Sequence, residues 1–318
     1  MKLDVILDSQ NDCKNIAGSN NINLKTLEQI FDCSVDLHGD SVLTNLDDEE
    51  KIDRLERIIR LLIEMSNKNF KITPRDIIYI DSIIIDGKED LYLEFLNNRK
   101  PVCHSFHNKP VFAKTLKQDE YIKALKAKDL VFSIGAAGTG KTYLAVCYAV
   151  SELKKGNIEK IILTRPAVEA GESLGFLPGD LKEKVDPYLR PLYDALHDML
   201  GVEQTQALID KGTIEIAPLA YMRGRTLENA FIILDEAQNA TIDQLKMFLT
   251  RLGFNSKMVV TGDISQIDLP NSKKSGLKVS AILLKDLPEV GVIVFEKFDV
   301  VRHPLVGKII EKFESLSN

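Results

Sequence analysis

Gly135-Ala136-Ala137-Gly138-Thr139-Gly140-Lys141-Thr142 fits the phosphate-binding pattern G-x-x-x-x-G-K-[ST] without a gap, and its reading decides the fold. The apolar run Leu130-Val131-Phe132-Ser133-Ile134 leads into it, and Tyr143 to Val150 leads out at helical spacing. That is the strand, loop and helix order the motif requires. The glycines let the backbone curl until successive N–H groups face phosphate oxygens, and the following helix adds its positive N-terminus. In this frame Gly135, Ala136, Ala137, Gly138, Thr139 and Gly140 cradle the phosphates of a nucleotide. Lys141 reaches the β- and γ-phosphates, and Thr142 holds Mg²⁺.

Reading outward, the 318 residues are enough for two domains, and 44% apolar content is normal for a globular chain. No apolar run approaches the ~18 residues of a membrane span. The start, Met1-Lys2-Leu3-Asp4, is unsuited to a signal peptide. The expectation is a soluble, cytoplasmic protein with no membrane partner. Cysteines at 13, 33, 103 and 147 lack C-x-x-C spacing and read as reduced thiols. Cys103-His104-x-x-His107 has no fourth ligand nearby, so a zinc site is not expected.

The net charge of −6 is unevenly divided: residues 1–100 hold 13 Lys and Arg against 20 Asp and Glu, and the remainder is nearly balanced. The front is thus a poor surface for a nucleic-acid backbone. It reads as a small α/β domain, 1–100. Its elements are a possible edge strand at Met1 to Asp8, a polar loop, a helix from Leu24 capped by Asn23, and a hairpin through Gly39-Asp40. An acidic-capped helix running to Ser66 and a helix begun by Thr73-Pro74 complete it. This order resembles small RNA-binding folds, including KH-like ones, but lacks their G-x-x-G clamp, so an interaction or assembly role is preferred. Residues 101–113 read as a linker.

From 114 to 318, short apolar strands at Lys160 to Thr164, Thr213 to Ala217, Phe231 to Leu234, Met258 to Thr261 and Val290 to Phe295 alternate with helical segments. That pattern predicts a mostly parallel sheet covered on both faces, an α/β RecA-like P-loop domain with its ligand at the carboxyl ends of the strands. Phe231 to Gln238 is an apolar strand ending in Asp235-Glu236. Asp235 suits the metal and Glu236 the attacking water. Gly262-Asp263-Ile264-Ser265-Gln266 ends another strand, and the Gln266 amide suits a sensor of the γ-phosphate. Gln118, ahead of the loop's strand, could pair with an adenine edge.

Gln118, the phosphate loop, the D-E-A-Q box at Asp235 to Gln238 and G-D-x-x-Q at Gly262 to Gln266 follow the order of the first RecA-like domain of superfamily 1 helicases. Leu163 to Glu172, Leu177 to Asp180, Asp186 to Pro191, Tyr221 to Thr226 and Val300 to Leu305 narrow the match. From about Lys114 onward the chain closely resembles the PhoH-like family of cytoplasmic bacterial ATPases, described as phosphate-starvation-inducible proteins. The resemblance implies Mg²⁺-dependent ATP binding and hydrolysis linked to RNA metabolism, with RNA helicase-like action as the further expectation. The alternative is a nucleotide-controlled protein that regulates a ribonuclease or other partner without unwinding. Roughly 210 residues hold one RecA-like domain where a helicase closes two around ATP. A homo-oligomer, with a hexameric ring expected, would supply the missing arginine from a neighbour; Arg302 is the first candidate. Arg165, Arg190, Arg223, Arg225, Lys273 and Lys274 are candidates to line a groove or pore for RNA.

Overall fold

The structure, a computed structural model, describes residues 1–7, 10–166, 181–270 and 274–300, with positions 309 and 312. Two compact units divide them: Met1–Asn98 together with positions 309 and 312, and Arg99–Val300.

The first unit runs β1 (Lys2–Ile6), α1 (Gln10–Ala17), α2 (Ile22–Phe31), β2 (Val35–His38), β3 (Ser41–Thr44), α3 (Glu49–Asn67), α4 (Pro74–Ile85) and α5 (Glu89–Asn98). Its strands form an antiparallel sheet in the order β1-β3-β2. Helix α3 begins where the Asp48 carboxylate accepts from the N–H groups of Glu50 and Lys51, and it buries Leu55, Ile58, Ile59 and Leu62. Helix α4 starts at Pro74, with the Asp76 carboxylate accepting from the Thr73 N–H at 2.8 Å.

Two expectations fail here for one reason. The polar residues 10–17, expected as loop, form α1. That helix is anchored by Asn15, whose Nδ2 donates to the Phe70 carbonyl at 2.8 Å, and by a Ser66 hydroxyl bond to the buried Asp12. Asn23, read as a cap, lies inside α2, fully buried, and donates to the carbonyls of Asn15 and Ile72 at 3.2 Å each. Polar side chains do core work in this unit, which apolar periodicity cannot report.

The second unit runs β4 (Cys103–His104), β5 (Pro110–Val111), α6 (Leu116–Ala127), β6 (Leu130–Ile134), α7 (Lys141–Lys154), β7 (Lys160–Arg165), α8 (Leu181–Leu200), α9 (Val202–Asp210), β8 (Ile214–Pro218), β9 (Ala230–Leu234), α10 (Ile242–Leu249), β10 (Lys257–Gly262), α11 (Leu277–Leu284) and β11 (Val290–Val294). The stretch 101–113, expected as a linker, instead contributes the β4–β5 hairpin to this unit. Its Cys103 is buried with Sγ 3.2 Å from the Met199 sulfur, and the Phe106 N–H donates to the Asp198 carbonyl.

The large sheet has six strands in the order β11-β6-β10-β9-β7-β8, every neighbouring pair parallel. Strands β6 and β9 are buried at every position, as central strands covered on both faces must be. Consecutive residues feed opposite layers. Val131, Phe231, Ile233 and Val259 pack in the layer that contains α7 and α8, whereas Phe132, Ile232, Leu234 and Val260 pack in the layer of α10 and α11. Parallel pairing also brings all the carboxyl ends to one edge, with Gly262 opposite Ile134, Val260 opposite Leu234 and Leu234 opposite Thr164.

Phe132 is fully buried between strands and helices, whereas Phe254 is 82% exposed. Phe132→Ala is expected to destabilise the second unit by about 3–5 kcal/mol and Phe254→Ala by less than about 0.5 kcal/mol, as read by denaturant unfolding.

Candidate active site

The phosphate loop leaves β6 at Gly135 and enters α7 at Lys141. Gly138 and Gly140 have φ of 89° and 82°, a left-handed backbone that side chains resist. Lys141 is buried, and its ammonium donates to the carbonyls of Gly135 at 2.7 Å and Ala136 at 2.9 Å. The Thr139 hydroxyl donates to the Ala136 carbonyl at 2.9 Å. The loop is therefore held in a closed curl by its own groups.

Gln118 completes that curl from outside. Its Nε2 donates to the Thr139 carbonyl at 2.9 Å and its Oε1 accepts from the Lys114 N–H at 2.7 Å, partners that fix which way the amide points. The side chain is 3% exposed. Expected as an adenine contact, it is here a brace under the loop with both ends of its amide engaged by protein.

One corner of the site is built from oxygen donors. The Thr142 hydroxyl donates to Asp235 Oδ1 at 2.6 Å, and the Thr261 hydroxyl donates to the same oxygen at 2.8 Å. Asp235 is placed by its backbone, whose N–H donates to the Thr164 carbonyl at 2.9 Å. Among the described residues no group of three or more His, Cys, Asp or Glu side chains could hold a metal by itself. A hydroxyl and one carboxylate are what a Mg²⁺ ion completed by phosphates and water requires, so Thr142 and Asp235 fit that role. Thr261 was not foreseen; the available signal was a lone hydroxyl at the end of the apolar run Met258-Val259-Val260.

Next to it, Glu236 sits at φ 52°, a left-handed conformation that costs a non-glycine residue of order 1 kcal/mol and turns its side chain off the strand. The Gln238 amide donates to the Glu236 carboxylate, and Gln238 Oε1 accepts from the Asp263 N–H at 3.0 Å. A Cβ at Gly262 would lie 2.8 Å from that Oε1, so the glycine makes room for this link. Asp263 is buried: its Oδ2 accepts from the Ala137 N–H of the phosphate loop at 3.0 Å, and its Oδ1 from Ser265. Gln266, expected to sense the γ-phosphate, is exposed. In this structure the Asp263 carboxylate, one residue past the strand, makes the contact with the loop.

These groups open onto a cleft of about 600 Å³ lined by Lys141, Thr142, Arg165, Asp235, Glu236 and Asp263, and on the far wall by Tyr143 and the α8 residues Pro191, Asp194, Ala195 and Asp198. The Tyr143 hydroxyl donates to Asp198 at 2.6 Å; burial, then that bond, pushes the phenol far above its ordinary range, so it stays a donor. Positions 191, 194, 195 and 198 share one helical face, a wall that the sequence reading does not anticipate.

The cations expected on RNA are dispersed. Arg165 lies in the cleft, with Nη2 3.4 Å from Glu236 and Nη1 4.0 Å from Asp235. Arg225 forms a two-pronged pair with Glu215 at 2.5 and 2.7 Å, which occupies the fork a phosphate would need. Arg190, Arg223 and Lys274 are exposed, on α8, after β8 and ahead of α11 respectively. Lys273 and Arg302 lie outside the described residues.

A parallel sheet carrying a phosphate loop on β6 and, one strand removed across β10, an acid-ended β9 defines a nucleotide-binding P-loop NTPase fold. The chain belongs to the PhoH family: a family profile described as "PhoH-like protein" matches residues 110–314. It is 52% identical over 309 residues to the PhoH-like protein of Bacillus subtilis, covering 97% of this chain and 96% of that one. It is 46% identical over 303 residues to the PhoH-like protein of Synechocystis sp., covering 95% of this chain and 92% of that one. Among solved structures, a large terminase from a thermophilic bacteriophage matches with a TM-score of 0.38 and 14% identity, over 59% of this chain and 45% of that one.

If Gln118 braces the loop and does not read the base, Gln118→Ala should weaken ATP and GTP binding together, each by about 5-fold, the worth of one hydrogen bond. Titration of the two nucleotides checks this, and a change in their ratio would restore the adenine role.

Proposed function

We propose that the protein is a Mg²⁺-dependent ATPase whose cycle is coupled to RNA. The observation that carries hydrolysis is Glu236: a carboxylate held out of the strand on a strained turn, beside the Asp235 oxygens and over the cleft that Lys141 lines. That placement suits orienting a water against a γ-phosphate. A kinase would need an acceptor site there, and the far wall of the cleft offers two aspartates and a tyrosine bonded to one of them. The RNA link draws on the family resemblance and on the exposed Arg190, Arg223 and Lys274, weighed against a front unit that is acidic.

The acidic front unit favours a second reading, in which the nucleotide cycle controls a bound protein such as a ribonuclease. A head-to-tail homo-oligomeric ring, with Arg302 of one subunit acting on the next, remains the assembly this reading expects. Cytoplasmic residence belongs to the same proposal; no described helix is long and apolar enough to cross a membrane.

ATP turnover of the wild type and of Glu236→Gln, with and without RNA and at known oligomeric state, tests the proposal. The expected result is RNA-stimulated turnover that falls about 10²–10⁴-fold in the variant while ATP binding persists. An assembled wild type that never hydrolyses ATP would refute it, and stimulation only by a protein partner selects the second reading. In mixed assemblies of Arg302→Ala and Lys141→Ala subunits, recovered turnover is expected if the arginine acts across subunits; none recovered removes it.

A further inference from the structure

We propose that Arg165 is the cation this chain itself supplies to the γ-phosphate of a bound nucleoside triphosphate, a catalytic residue in place of the RNA contact its sequence suggested. The proposal rests on the hydrolysis reading above.

The position of Arg165 follows from the sheet. Strand β7 pairs with β9 so that Thr164 lies opposite Leu234, and the Asp235 N–H closes the ladder on the Thr164 carbonyl at 2.9 Å. The next residue of each strand, Arg165 and Asp235, must therefore emerge side by side at the carboxyl edge where ligands of parallel sheets bind. The Arg165 side chain lines the cleft with Lys141, and its guanidinium lies 3.4 Å from Glu236. A carboxylate that orients the attacking water stands one water away from the γ-phosphate. A guanidinium in contact with that carboxylate is within reach of the same phosphate.

Charge gives the direction of the exchange. Arg165 faces Asp235 at 4.0 Å and Glu236 at 3.4 Å, the two carboxylates closest to where a metal ion and an attacking water would sit. A metal ion drawn to Thr142 and Asp235 would satisfy the Asp235 charge, and the γ-phosphate would offer Arg165 two oxygens at the spacing of its fork. The move releases Glu236 toward water at the moment a γ-phosphate arrives. Diphosphate offers no such partner, so Arg165 discriminates ATP from ADP as well as stabilising the charge that spreads over the transferred group. An arginine supplied within the chain, as some P-loop enzymes use, acts whether or not a neighbouring subunit adds another.

The test uses the full chain with Arg165→Ala and Arg165→Lys, checked for wild-type thermal unfolding. Binding of a non-hydrolysable ATP analogue and of ADP is measured by calorimetry, and turnover is measured without RNA. The expected result for Arg165→Ala is at least 10-fold weaker analogue binding, ADP affinity within about 2-fold of wild type, and a fall in kcat approaching 10³-fold. Arg165→Lys recovers part of the binding and little of the rate, because an ammonium lacks the planar fork. Unchanged analogue affinity, or analogue and ADP weakened equally, overturns the proposal, as does a variant that loses only RNA binding. If the wild type itself does not hydrolyse ATP, the hydrolysis reading fails by itself. The analogue-to-ADP ratio still decides whether Arg165 meets the γ-phosphate.

Discussion

The in-register parallel pairing of β6, β10, β9 and β7 is the constraint on which the site depends. Once Gly262 lies opposite Ile134 and Leu234 opposite both Val260 and Thr164, four strands end within two residues of each other. Gly135, Asp263 and Asp235 are the residues that follow, Arg165 is the last residue of β7, and they share an edge without any side chain having to search for it. A slip of one residue would turn every side chain of a strand to the other face and separate the Thr142 and Thr261 hydroxyls from Asp235. The alternation of Phe231, Ile232, Ile233 and Leu234 between two apolar layers sets the cost of that slip, since each residue is fully buried. Core packing far from the cleft therefore fixes chemistry at its floor.

The parts of the site legible in the sequence are those whose chemistry is local. The phosphate loop, Thr142 and the Asp235-Glu236 pair each follow a strand whose apolar run announces it, and the structure places them together. The rest depended on partners distant in the chain. Whether Gln118 faces a base or a loop carbonyl is set by Thr139 and Lys114, and whether Arg225 is available is set by Glu215. Arg165 and Arg225 carry the same side chain, and both are candidates for RNA by sequence. One enters the cleft because β7 abuts β9, and the other is paired with Glu215 of edge strand β8. The front unit shows the same limit at the level of fold: α1 rests on Asn15 and Asp12, so polar residues took a structural role that periodicity assigns to apolar ones.

The groups suited to phosphate have protein partners. Lys141 is bonded to the carbonyls of Gly135 and Ala136, the Ala137 N–H to Asp263, Thr142 to Asp235, and Arg165 faces the acids of the neighbouring strand. Nucleotide binding at such a site is an exchange of partners, because no buried donor can be left waiting without a cost of about 1–3 kcal/mol. The Asp263 contact makes the exchange informative. The Ala137 N–H cannot serve a phosphate and that carboxylate equally, so occupancy of the loop bears on the segment that Asp263 orders through Ser265. That segment carries Gln266, which is exposed and whose N–H donates to the Asp263 carbonyl.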